Sequence, residues 1–140
     1  MKRLTLDEKF TQMVNTPSDI NEHLPILKKY AEECDHVTEM GVRWIVSTYA
    51  FLAAQPKTMI SIDIQHPSNW GASLEDVEIY AQEINCNYKF WQTNNLEIEI
   101  EPTDLLFIDT WHSYKQLKAE LLLHANKVKK YIILHDAVLS

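Results

Sequence analysis

Two short apolar runs in this chain stop abruptly at ionisable residues. In DLLFIDTWHSY, residues 104–114, the run ends at Asp109 and is followed by His112; in YIILHD, residues 131–136, it ends at His135 and Asp136. A carboxylate accepts hydrogen bonds and binds hard cations, and an imidazole titrates near neutrality. Together they suit proton abstraction or metal binding. The runs LLFI and YIIL are too short for helices and rich in strand-forming residues. They read as parallel strands covered on both faces, which show no polar alternation. The polar residues at their carboxyl ends then lie on the rim of the sheet, where open α/β folds bind ligands. If the two strands are neighbours, an Asp and a His from each converge.

The elements that would position these residues follow in order. Leu4–Val14 carries apolar residues at helical spacing, Thr16-Pro17 interrupts it, and Ser18 or Asp19 caps a second helix running to about Glu33, with Pro25 starting or kinking it. Residues 1–34 thus read as a helical cover and 35–140 as a sheet core, in one domain of 140 residues. Strands are expected at His36–Met40, Thr58–Ile64, Tyr88–Gln92, Leu105–Asp109 and Tyr131–His135. Helices are expected at Trp44–Ala54, Ser73–Ile84, the latter with Ser73 and Asp76 as a capping box, and Tyr114 to about Lys127. Asn94–Glu101 alternates and suits an edge strand or an extended connection. The alternation of strand and helix predicts a three-layer α/β fold, Rossmann-like, with a mostly parallel sheet.

Composition excludes several classes. The net charge of −7 opposes a nucleic-acid backbone as partner. No apolar stretch is long enough to span a bilayer, and MKRLTLDEKF lacks a signal-peptide core, so a cytoplasmic protein without a membrane partner is expected. Cys34 and Cys86 stand alone and read as free thiols. With only two glycines, Gly41 and Gly71, no phosphate-cradling loop of the GxxxxGK or GxGxxG kind can form.

The segment VTEMGVRWIVSTYAFL resembles the first motif of class I S-adenosylmethionine-dependent methyltransferases, in which an acidic residue precedes a glycine loop. Glu39 and Gly41 match, whereas Arg43 and Ser47 replace later glycines. Asp63, closing the second strand, matches the acid that accepts hydrogen bonds from the ribose hydroxyls in this family. IDTWHSYKQLKAEL followed by IILHDA resembles small-molecule O-methyltransferases related to cephalosporin-biosynthesis and macrolide-sugar enzymes. The resemblance implies S-adenosylmethionine as cofactor, held by Glu39, Gly41, Asp63 and Asn94, and a small-molecule hydroxyl as methyl acceptor. It implies His112 as base beside Asp109, and Asp109, His135 and Asp136 as ligands of magnesium or another divalent metal. His135 stands where the family has an acidic ligand, and imidazole suits magnesium poorly.

Methyltransferases of this class continue with a further helix and two more strands, so a sheet lacking those C-terminal strands is expected. Its fifth strand would expose an edge, and a homodimer through that edge follows. Plainer uses exist for each residue: Asp109 as a helix cap, and Trp70, Trp91 and Trp111 as core fillers, the favoured reading for Trp91. His23, His66 and His124 read as surface or helix-face residues. Two other functions fit the same residues: a non-catalytic methyltransferase-like binding module, and a metal-dependent hydrolase or lyase using the Asp/His cluster.

Overall fold

The computed structural model describes residues 3–110 and 113–135. Helices α1 (Leu6–Asn15) and α2 (Leu24–Ala31) come first, followed by β1 (His36–Met40), α3 (Ser47–Ala53), β2 (Thr58–Asp63), α4 (Leu74–Glu83), β3 (Asn87–Gln92), β4 (Thr103–Ile108), α5 (Tyr114–His124) and β5 (Val128–Leu134). The five strands form one sheet in the order β3-β2-β1-β4-β5, and every pairing is parallel. β4 and β5 are neighbours, the condition under which the residues ending the two apolar runs converge. β5, however, lies at the sheet edge with no buried residue and with Ile132 and Leu134 exposed, so the expected cover on both faces holds for β4 and not for β5.

Local chemistry sets the helix starts. Thr5 and Glu8 form a reciprocal capping box on α1. Ser73 accepts from the Asp76 N–H on α4, but the Asp76 carboxylate turns away to Arg3 at 2.7 Å, so only half of the predicted box forms. Ser113 caps α5 by accepting from the Gln116 N–H. The second predicted helix splits into a 3-10 turn at Asn21–His23 and then α2, because Pro25 has no N–H to donate and is accommodated only in a first turn.

Strand side chains alternate between two cores. Val37, Met59, Leu105 and Phe107 face α1 to α4, where Phe51 of α3 meets Phe107 edge-on with ring centroids 5.3 Å apart. Met40, Ile60, Ile62, Leu106 and Ile108 face the other way, onto Leu117 of α5. Burial on both faces is why β4 carries no alternation. Asn94–Glu101 is not a strand; it is a connection whose Ile98 and Ile100 pack into the second core, so its alternation reflects one face tucked under α5. Cys34 and Cys86 are buried free thiols. No helix among the described residues is long and apolar enough to cross a membrane.

β1 is central, with β2 on one side and β4 on the other, so the direction of winding reverses between β1 and β4. At that point the backbones nearly touch. Gly41 has φ +90, and a Cβ built on it would lie 2.0 Å from the Asp109 carbonyl oxygen. Gly41→Ala is expected to destabilise the fold by roughly 2–5 kcal/mol, combining left-handed backbone strain with a backbone clash. Urea unfolding checks this; a loss within error of zero would mean that the two strand ends can separate freely.

Candidate functional site

Hydrogen bonds carry the sheet one residue past its strands. The Gly41 N–H donates to the Ile62 carbonyl at 2.9 Å, Asp109 N–H to Met40 at 2.8 Å and His135 N–H to Ile108 at 3.1 Å. Gly41, Asp109 and His135 therefore lie side by side at the carboxyl edge. A cleft of about 630 Å³ opens there, lined by Gly41, Asp63, Asn94 and Asp109 with Thr110, Asn95 and Gln116. Its outer rim carries Trp44 and Trp70, both well exposed, with ring centroids 5.0 Å apart.

The loop from β1 to α3 shapes one wall. The predicted helix start at Trp44 is overturned: α3 begins at Ser47, because Arg43 (φ +47) and Ile45 (φ +60) adopt left-handed backbone that no α-helix contains. With Gly41, every second residue of this loop has positive φ, a conformation glycine adopts freely, yet two of the three carry side chains. Asp63 braces it: one carboxylate oxygen accepts from the Val42 N–H at 2.8 Å and from Arg43 at 3.2 Å, the other from Gln65 at 3.1 Å.

Glu39 does not reach the cleft. It is wholly buried beneath the loop, accepting from the hydroxyls of Ser47, Thr48 (2.6 Å) and Ser61 (2.9 Å). Burial raises its carboxyl from the ordinary 4.5 to about 7, against the opposing pull of the three hydroxyls.

Beside the cleft, Asp109 also meets residues distant in sequence. Asp19, Asp109 and His135 each offer a ligand atom, all within 4.8 Å of one another, and His135 Nε2 lies 3.8 Å from Asp19 Oδ2. The His23 ring stands edge-on to His135 at 5.8 Å. Asp109 and His135 are thus gathered as expected; His112 and Asp136 lie outside the described residues. Asp19 was read as a helix cap only, and nothing local in its sequence signals this long-range approach. Two carboxylates and an imidazole fit a divalent cation, and the nitrogen favours a transition metal over magnesium.

A second polar cluster backs the cleft. Glu120, fully buried on α5, accepts from the Thr110 hydroxyl at 3.1 Å and from the Asn95 amide, and His124 bonds the Asn95 carbonyl through Nε2. Burial pushes the Glu120 carboxyl up and the His124 imidazole down, so each is driven towards its neutral form. The surface reading of His124 is therefore overturned. The signal lay in the spacing: Leu117, Glu120, Leu121 and His124 form one helical stripe.

No protein-family model and no curated protein matches the sequence. Solved structures do. A Staphylococcus aureus protein assigned as a caffeoyl-CoA O-methyltransferase superposes with TM-score 0.60 at 14% identity, over 91% of this chain and 63% of its own. The O-methyltransferase TomG of Streptomyces achromogenes, solved with S-adenosylmethionine, gives 0.55 at 15% identity, over 88% and 62%. A Klebsiella pneumoniae protein assigned as an O-methyltransferase gives 0.51 at 14%, over 89% and 62%. The fold is that of the class I O-methyltransferases, and the chain spans just over three-fifths of the length of these structures.

The elevated Glu39 carboxyl has a definite sign. Between about 4.5 and 7 the folded state holds a proton that the unfolded state releases, so stability falls as pH rises through that window. Glu39→Gln is expected to remove this slope, worth up to about 3 kcal/mol. Urea titrations of both proteins across the window check it, and an unchanged slope in the variant would refute the assignment.

Proposed function

We propose that the cleft binds S-adenosylmethionine and that the chain belongs to an enzyme transferring its methyl group to a hydroxyl of a small molecule. The supporting observation is a single cavity at the switch point, into which Asp63 from β2 and Asp109 from the end of β4 both open, in a fold shared with O-methyltransferases. Asp63 is the acceptor for the ribose diol, a role suited to a carboxylate. Gly41 lines the donor's side of the cleft, the space beside it taken by the Asp109 carbonyl; Asn94 lines the same cleft, and Glu39 supports the loop from below. The bound donor supplies a sulfonium methyl group. Displacement at that carbon needs alignment above all, so the residues' main work is to orient the acceptor oxygen. His112 takes the acceptor's proton as general base. Asp109, His135 and Asp136, joined by Asp19, are the residues that would hold a divalent cation, whose bound form lowers the pKa of a coordinated hydroxyl.

The Asp19–Asp109–His135 cluster also favours a second reading, a metal-dependent hydrolase or lyase with no methyl donor. Calorimetric titration with S-adenosylmethionine, with and without a divalent metal, separates the two. Binding in the native chain, weakened about ten- to a hundredfold in Asp63→Ala through loss of hydrogen bonds to a charged group, is the expected result. Metal binding with no donor binding would favour the second reading and remove the first.

The same proposal places a second copy of the chain on the outer edge of β5, which pairs only with β4 among the described residues, next to a face where Ile132 and Leu134 are exposed. Light scattering is expected to give a dimer, and a monomer at high concentration would sink that pairing.

A further inference from the structure

The cleft's charge is one-sided. Asp63 and Asp109 line it, and among the described lining residues Arg43 is the only cation. Its backbone N–H bonds to Asp63, yet its guanidinium makes no ion pair or hydrogen bond among the described residues, in a protein of net charge −7. Arg43 therefore brings a cation to a cleft lined by carboxylates, with its guanidinium paired to none of them among the described residues. Its position is also costly: Arg43 sits at φ +47, a conformation that glycine adopts without strain and an L-residue does not.

A methyl donor of the proposed kind has two polar ends. Its ribose diol needs an acceptor, which Asp63 provides. Its amino-acid end is a zwitterion: the ammonium suits the acidic residues, and the carboxylate is best matched by a cation. Guanidinium matches carboxylate by paired, charge-assisted hydrogen bonds. We propose that Arg43 is the specificity-determining contact for the carboxylate of an S-adenosyl ligand whose ribose lies on Asp63, a reading that rests on the proposed donor site. The left-handed turn at Arg43 then serves recognition, keeping the loop's course while adding a charge that glycine cannot supply.

The test compares S-adenosylhomocysteine with 5′-methylthioadenosine, which share the adenosine thioether and differ in the amino-acid end. Calorimetry on the native chain is expected to show tighter binding of S-adenosylhomocysteine by about ten- to a hundredfold, the range for hydrogen bonds to a charged group. Arg43→Ala and Arg43→Gly should bring that ratio towards parity while leaving 5′-methylthioadenosine affinity unchanged. Arg43→Gly should also melt no lower than the native protein, so a lost preference in that variant is not a folding defect. Equal weakening of both ligands in the variants, or no preference in the native chain, overturns the role of Arg43 alone. Failure of both ligands to bind the native chain overturns the donor site and this contact with it.

Discussion

The buried contact between Glu39 and the hydroxyls of Ser47, Thr48 and Ser61 is the one on which the rest of the site depends. It joins the end of β1, the start of α3 and the middle of β2 through one side chain. A carboxyl group without water has to be hydrogen-bonded, and the three hydroxyls can satisfy it only from this arrangement of elements. A different entry of α3, or a slip of β2 against β1, would leave it stranded. The loop between β1 and α3 is thereby held at both ends, which allows it to carry left-handed residues in between.

From that restraint the cleft follows. The loop is braced again by Asp63, which accepts two of its N–H groups, while Gly41 admits the Asp109 backbone at a separation no side chain would tolerate. β1, β2 and β4 therefore end at one level, and their terminal residues open into a common space. Behind it, Glu120 ties Thr110 to Asn95, so the wall contributed by the β3–β4 connection is fixed to the start of the loop leaving β4. These polar ties lie on both sides of a sheet that is otherwise packed with apolar side chains.

Much of this was legible in the chain. The continuous run LLFI announced a strand covered on both faces, and the ionisable residues ending it and its neighbour pointed to the rim. YIIL, equally apolar, proved to be an edge strand with Ile132 and Leu134 exposed, because a run's composition does not say what covers it. Glu39 and Gly41 were visible by type and spacing, although the buried destination of Glu39 was not. What escaped depended on tertiary context. Asp19 reaches the cluster only because the N-terminal cover folds back over β5's end, and no local pattern encodes that. The β1–α3 loop looked helical because Trp44, Ile45 and Val46 are apolar; backbone conformation at Arg43 and Ile45 overrode that periodicity. Glu120 and His124 were hidden by their polarity, on a stripe where apolar residues would be expected.

The paired indoles at the rim give the protein a property of a different kind. Trp44 and Trp70 stand in contact and exposed at the mouth, whereas Trp91 is half-buried against the second core. Indole emission shifts with the polarity around the ring, so a ligand that covers these two rings is expected to change their emission while Trp91 keeps its apolar neighbours. The two indoles thus offer a label-free place to look for occupancy of the mouth.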